Sequence, residues 1–124
     1  SIRFATGDLQ TIMAGLACGE PNTISWDILR NHTTAFVSCP DWVTARGMRT
    51  LGAPEKGDPR VISGESGAVT TGLVETLMLD PEYAELKELI GLDKTSSVLC
   101  FSTEGDTDPD QYRRIVWEGE YPTC

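Results

Sequence analysis

Basic side chains are scarce in this sequence, and their scarcity excludes whole classes of partner. Ten Lys and Arg residues stand against 19 Asp and Glu residues, which gives a formal net charge of −9. Nucleic acids and anionic membranes are bound through clustered Lys and Arg, and the one such cluster here is the pair Arg113-Arg114. No apolar run reaches the roughly 18 residues that a membrane span needs. We therefore expect a cytoplasmic protein that binds neither nucleic acid nor membrane.

Residues that build metal centres and nucleophilic triads are also few. The sequence has one histidine, His32, and no closely spaced pair of cysteines. This argues against zinc and leaves His32 as the sole candidate base of a triad. Aspartates alternate through Asp106–Asp110 as in a calcium loop, but the sixth and twelfth positions are Gln111 and Trp117 instead of Gly and Glu. We therefore predict no metal and interpret the acids as a solvated, helix-capping cluster.

The four cysteines do not form an evident disulfide framework. Cys100 lies inside an apolar run and Cys124 is the last residue, so Cys18 and Cys39 are the only plausible pair. Reduced thiols in a cytoplasmic protein are the preferred interpretation. Whether Cys18 forms a disulfide stays open.

A short apolar run followed by polar residues dominates the last third of the chain. Val98–Phe101 has no polar alternation, which predicts a strand buried on both faces. The polar loop Ser102–Asp106 follows, and Asp108 then caps a helix, with Pro109 in its first position and Gln111 as the capping-box partner. Ligands of open α/β sheets bind beside the carboxyl ends of strands. The loop is therefore the first candidate site.

The rest of the sequence predicts helices that alternate with two further short strands, at 35–38 and 61–62. Helices are predicted from Ser25, from Pro40 to Gly52, from the segment Ser63–Ala68, and from Pro81 to Gly91. Their expected buried stripes are Trp42, Ala45, Met48 and Leu51; Val69, Leu73 and Leu77; and Tyr83, Leu86, Leu89 and Ile90. This alternation predicts a single α/β domain, 1–124, with few short parallel strands flanked by helices. These strands are too few to form a sheet by themselves. We therefore expect a C-terminal fragment of a longer protein.

Five segments in this order resemble a known family: Thr11–Ala17, Trp26–Arg30, Ser63–Ala68, Ser102–Asp108 and Trp117–Gly119. They resemble the C-terminal part of the diaminopropionate ammonia-lyases, which belong to the tryptophan-synthase-β-like (fold type II) pyridoxal-phosphate enzymes. The resemblance covers nearly the whole chain. The Ser-Thr-Glu-Gly-Asp-Thr-Asp run favours the ammonia-lyases over the serine and threonine dehydratases and serine racemases, which usually carry a Ser-Gly-Gly or Cys-Gly-Gly turn there.

The resemblance implies a reaction, a cofactor and a set of contacts. The reaction would be α,β-elimination of 2,3-diaminopropionate to pyruvate and ammonia, with pyridoxal 5'-phosphate as cofactor. Ser102 or Thr103 would face the pyridine nitrogen, Gly15 would lie against the ring, and Glu65 would lie near the cofactor's edge. The sequence does not say which of the two hydroxyls makes the contact. The implied partners are an amino-acid substrate, the N-terminal part of the parent chain and a second copy in a homodimer, although the oligomeric state is not fixed by sequence.

The resemblance also implies that reactive parts lie elsewhere. The family's Schiff-base lysine and phosphate loop belong to an upstream segment, and the contexts of Lys56, Lys87 and Lys94 offer no burial that would activate an amine. We therefore expect no catalytic residue here, and the chain alone to be inactive and to bind the cofactor weakly. The alternatives are a serine or threonine dehydratase, or a non-catalytic acidic α/β binding module.

Overall fold

The computed structural model describes residue 5 and residues 7–123, and that part of the chain is helical. It contains two single-turn 3-10 helices, Ala14–Leu16 and Pro81–Tyr83. It also contains five α-helices: α1 (Thr23–His32), α2 (Asp41–Gly52), α3 (Glu65–Leu79), α4 (Ala84–Ile90) and α5 (Pro109–Val116).

Helices α2 and α3 pack backbone against backbone, and glycines make this possible. A Cβ atom added at Gly47 would overlap the carbonyl oxygen of Ala68, and one added at Gly72 would overlap that of Val43. Each helix therefore uses a glycine where the other helix presents main chain. This close crossing is the centre of the fold, and it fixes the direction of α3.

The core forms where α5 packs on α2, close to the start of α3. Ala45 and Met48 of α2, Ala68 of α3, and Tyr112 and Ile115 of α5 make one buried cluster. Ala45 and Met48 of the stripe predicted for α2 are buried, whereas Trp42 is only half-buried. Leu51 is only partly buried at the margin of the cluster.

The described residues form none of the predicted strands. No residue among 5 and 7–123 is in a β-strand, so helices flank no sheet. The segment Val98–Phe101, expected to be buried on both faces, has Leu99 78% exposed and Phe101 71% exposed. Phe36, in the strand predicted at 35–38, is 67% exposed. The physical reason is that a strand exists only as part of a hydrogen-bonded ladder, and the described chain brings no second extended segment alongside.

The predicted helix ends are mostly confirmed, with local corrections. Asn22, and not Ser25, caps α1, because its side chain accepts hydrogen bonds from the backbone N–H groups of the second and third helical residues. Pro40 is the N-cap of α2 instead of its first residue. Gly91 ends α4 at φ +78°, as predicted. Leu89 was expected to be buried but is 76% exposed, because α4 packs only on α3 and the 3-10 turn before it.

Candidate functional site

The polar loop that follows residue 101 lies on the N-terminal end of α3. The backbone N–H of Gly64 donates to the carbonyl oxygen of Glu104 at 2.9 Å. The backbone N–H of Ser66 donates to Glu104 Oε1 at 3.2 Å. The first N–H groups of a helix have no partner within it, so Glu104 caps α3 from a distant part of the sequence. The two segments singled out in the sequence are therefore in direct contact.

The loop lies so close to α3 that a side chain would not fit between them. A Cβ atom at Gly67 would lie 2.9 Å from Ser63 Oγ and 3.1 Å from both Ser102 Cα and Thr103 N. These distances are shorter than ordinary carbon contacts. Position 67 thus requires a glycine because the main chain of the loop that carries Ser102 and Thr103 passes over it.

The two candidate hydroxyls differ in what they bind. Ser102 Oγ is hydrogen-bonded to Ser63 Oγ at 2.8 Å, and Ser63 is fully buried. Thr103 is exposed, and its hydroxyl bonds to no residue that the structure describes. Ser102 Oγ donates to Ser63 Oγ, and Ser63 Oγ donates in turn to the Gly64 carbonyl oxygen at 3.3 Å, so Ser102 must give up its bond to Ser63 before it can donate to a ligand. Both hydroxyls can therefore donate outward, Thr103 without giving up a bond.

Glu65 is a buried carboxylate held by a residue of α5. It is 8% exposed, and its Oε1 accepts from Gln111 Nε2 at 3.1 Å. The capping-box prediction for Gln111 is wrong. Asp108 caps α5 by accepting from the Gln111 backbone N–H at 3.1 Å, whereas the Gln111 side chain is directed to Glu65. With Glu65 and Glu104 both at this end of α3, an anion is repelled, so the glycine-rich segment is not a phosphate cradle.

Gly15 lies beside the same helix end. It is in the 3-10 turn Ala14–Leu16, and a Cβ atom there would lie 3.0 Å from Ser66 Oγ. That hydroxyl is buried and has no hydrogen-bond partner in the described part of the chain. Ser66 thus has Gly15 next to its hydroxyl and Glu104 on its amide. The four residues predicted for the site, Gly15, Glu65, Ser102 and Thr103, gather around the first turn of α3.

These features fit a pyridoxal ring. The ring is flat and apolar on its faces, and its nitrogen accepts a hydrogen bond. The site offers a glycine surface at Gly15, hydroxyl donors at Ser102 and Thr103, and the unsatisfied hydroxyl of Ser66. Buried polar groups without partners are rare in complete proteins, so the orphaned hydroxyl suggests that a group is missing at this place.

An open cavity of about 870 Å³ lies between the segment 8–17, the segment 36–41 and the side of α3 that carries Val69 and Leu73. Its rim is fixed by the Thr11 hydroxyl, which donates to Asp41 Oδ1 at 2.5 Å. Part of this wall is Thr11–Ala17, one of the segments that carry the family resemblance. Nothing in the sequence indicated its pairing with Asp41, since the two residues are 30 positions apart.

Other candidate chemistry is absent from the described residues. Cys18 and Cys39 are both free, so the only plausible disulfide is not formed. Burial raises the pKa of the Cys39 thiol. No group of three His, Cys, Asp or Glu residues among those described is arranged to hold a metal ion. None of the described helices combines the length and apolarity needed to cross a membrane.

Comparison with known proteins defines the class first. No protein-family model matches the chain. Its backbone superposes with a TM-score of 0.85 on a crystal structure of Escherichia coli diaminopropionate ammonia-lyase in complex with an aminoacrylate-PLP azomethine reaction intermediate. The match has 56% sequence identity and covers 90% of this chain and 29% of that one. The fold is thus that of part of a pyridoxal-phosphate lyase.

Sequence similarity narrows this class to one enzyme family. The chain is 56% identical over 115 residues to the diaminopropionate ammonia-lyase of Escherichia coli, covering 93% of this chain and 29% of the relative. It is 54% identical over 115 residues to that of Salmonella typhimurium, covering 92% and 28%. The chain therefore corresponds to a segment of the diaminopropionate ammonia-lyase family, and the resemblance found in its residues is confirmed. It spans less than a third of the length of these relatives.

Proposed function

We propose that this chain supplies one wall of the pyridoxal-phosphate site in a diaminopropionate ammonia-lyase, as the C-terminal part of a fold type II enzyme. The whole enzyme eliminates ammonia from 2,3-diaminopropionate and releases pyruvate. The observation that carries the proposal is the gathering of Gly15, Glu65, Ser102 and Thr103 around the first turn of α3. Four residues from three separate segments meet at one place, with an unsatisfied hydroxyl among them.

The wall's own contribution is to bind and orient. When bound, pyridoxal phosphate supplies the electron sink that an elimination needs. Ser102 or Thr103 donates a hydrogen bond to the ring nitrogen, and a neutral hydroxyl, unlike a carboxylate, does not force that nitrogen to be protonated. Glu65 lies at the cofactor's edge, where its hydrogen bond from Gln111 fixes the carboxylate. Gly15 leaves room for a ring face.

The rest of the site comes from outside this chain. Lys56 and Lys94 are exposed and Lys87 is only half-buried, so none has the desolvated environment that activates an amine. Two carboxylates at the start of α3 leave no place there for the cofactor's phosphate. The chain by itself is therefore inactive and binds pyridoxal phosphate weakly.

Exposed apolar surface marks where the other parts join. Trp26 and Phe36 stack with ring centroids 6.2 Å apart, yet they are 45% and 67% exposed. Leu99 and Phe101 project from an extended segment with no neighbouring strand in the described chain. Large exposed apolar patches mark interaction surfaces. The N-terminal part of the parent chain covers the extended segment and pairs with it as parallel sheet, and a second copy completes a cytoplasmic homodimer.

A chimera tests the function. In it, this chain replaces the matching segment of the Escherichia coli enzyme, and pyruvate release is followed with diaminopropionate, serine and threonine as substrates. We expect turnover of diaminopropionate to exceed that of serine and threonine. A preference for serine or threonine would favour the dehydratase alternative. A folded chimera without cofactor or activity would favour a binding module and refute the proposal.

The isolated chain gives the matching negative test. It is incubated with pyridoxal phosphate, reduced with borohydride and mapped by mass spectrometry. We expect no stoichiometric adduct on Lys56, Lys87 or Lys94. A single, saturable adduct at one of them would show that the chain holds its own cofactor lysine.

A further inference from the structure

Glu104 has a role that the resemblance does not assign. Its side chain is half-buried, although the flanking residues Thr103 and Gly105 are exposed. We propose that Glu104 is a positioning residue: it fixes the hydroxyls of Ser102 and Thr103 against α3, and so sets how tightly the site binds pyridoxal phosphate. This inference rests on the proposed function, because it needs the hydroxyl loop to face the cofactor.

Glu104 joins two segments by both its main chain and its side chain. Its carbonyl oxygen accepts from the Gly64 N–H at 2.9 Å, and its Oε1 accepts from the Ser66 N–H at 3.2 Å. Gly64 is the N-cap of α3 and has no side chain to cap the helix. The carboxylate therefore takes the place of a local cap, where the helix dipole also favours a negative charge.

The other side-chain hydrogen bond that holds the loop, between Ser102 and Ser63, competes with ligand binding. Ser102 is held by its 2.8 Å hydrogen bond to Ser63. If the Ser102 hydroxyl turns to a ligand, the bond to Ser63 weakens at that moment. Glu104 holds the loop through oxygens that accept from the Gly64 and Ser66 N–H groups, so this attachment does not depend on the Ser102 hydroxyl and stays in place while that hydroxyl changes partner.

Glu104 also couples the loop to the side of the site where Gly15 lies. The residue whose amide it binds, Ser66, has its hydroxyl next to Gly15, where a Cβ atom would lie 3.0 Å from Ser66 Oγ. A shift of the loop relative to Ser66 is therefore a shift of Thr103 relative to Gly15. A ring bound between them would lose one contact or the other.

The test compares three variants of the chimera described above. Glu104→Ala removes the acceptor, Glu104→Gln keeps an acceptor oxygen but loses the charge, and Asp106→Ala removes an equal charge from the same exposed loop. The apo forms are titrated with pyridoxal phosphate by absorbance and fluorescence. Amide hydrogen exchange over 102–105 and thermal stability are measured in parallel.

We expect Glu104→Ala to weaken cofactor binding roughly 5- to 10-fold. This factor corresponds to the free energy that the loss of a helix cap costs. Exchange of the loop amides should rise, and the absorbance maximum of the bound cofactor should shift. Glu104→Gln should recover most of the affinity because its amide oxygen still accepts from Ser66. Asp106→Ala should bind the cofactor like the parent.

Three outcomes overturn the inference. One is a Glu104→Ala variant with lower thermal stability but unchanged cofactor affinity and spectrum, because Glu104 would then be only a structural cap. Another is an equal loss of affinity in Asp106→Ala. The third is a Glu104→Gln variant as weak as Glu104→Ala. Failure of the unsubstituted chimera to bind the cofactor would instead refute the proposed function, so the two failures are distinguishable.

Discussion

Gly67 is the position where one added methyl group most directly tests the geometry of the site. In Gly67→Ala the new Cβ atom would lie 3.1 Å from Ser102 Cα and from Thr103 N. Carbon atoms pack at roughly 3.5 Å or more, so the hydroxyl loop must move outward by about 0.4 Å. The nearest atom, Ser63 Oγ at 2.9 Å, belongs to a buried side chain, and the two loop atoms are main-chain atoms that cannot rotate away.

The energetic consequences for folding nearly cancel. Overpacking costs about 1–3 kcal/mol, and replacing a helical glycine with alanine returns about 1 kcal/mol of helix propensity. The net loss of stability is therefore about 0–2 kcal/mol. The hydrogen bond from Ser66 N–H to Glu104, already 3.2 Å long, lengthens toward its limit. If about 1 kcal/mol of the free energy that holds the loop in position is lost, cofactor binding weakens by roughly 5-fold.

The assay is titration of the apo chimera with pyridoxal phosphate, with thermal stability measured on the same samples. Thr71→Ala is the matched control, because it raises the helix propensity of α3 without adding an atom near the loop. We expect Gly67→Ala to lose affinity with a small change in melting temperature, and Thr71→Ala to keep its affinity. If Gly67→Ala bound the cofactor as tightly as the parent, the loop would not be held against α3 as described.

Two further predictions concern the packing and the thiols. Gly72→Ala should lower the melting temperature by several degrees, since its Cβ atom would overlap the Val43 carbonyl oxygen. Because this overlap is more severe than that at Gly67, the cost lies at the upper end of about 1–3 kcal/mol and exceeds the roughly 1 kcal/mol of helix propensity that alanine returns. An unchanged melting temperature would contradict the close crossing of α2 and α3. Burial raises the pKa of Cys39, so at pH 8 its thiolate fraction is below that of an unperturbed thiol. Alkylation mapped by mass spectrometry should therefore be slower at Cys39 than at exposed Cys18, and its rate should keep rising above pH 9; equal rates at pH 8 would contradict this.

Local signals in the sequence predicted the helices well, because helix ends depend on neighbouring residues. Asp108 and Gly91 were placed correctly at a helix start and a helix end, since an acceptor side chain and a left-handed backbone act within one turn. The strand predicted at Val98–Phe101 does not form within the described chain, for the opposite reason. A strand depends on a partner that can lie anywhere in the chain, and the described residues provide none.

The contacts that organise the site were beyond local reasoning. Gln111 was assigned to the cap of its own helix, but it donates to Glu65, 46 residues earlier. Glu104 lies in a run that was recognised, yet nothing near it indicated that its carboxylate caps a helix beginning 39 residues before it. Such pairs become neighbours only when α3 and α5 have packed on α2.

The sequence by itself determined the kinship of this chain, its acidic character, its helix ends and the four residues expected at the cofactor. These depend on residue identity and on spacing along the chain, which the sequence contains. Only the tertiary structure decided that Gly15, Glu65, Ser102 and Thr103 meet at one helix end, that the Glu104 carboxylate caps that helix, and that Leu99 and Phe101 stay exposed in the described chain. These depend on distances between residues far apart in sequence, and those distances are set by the close packing of α2 and α3.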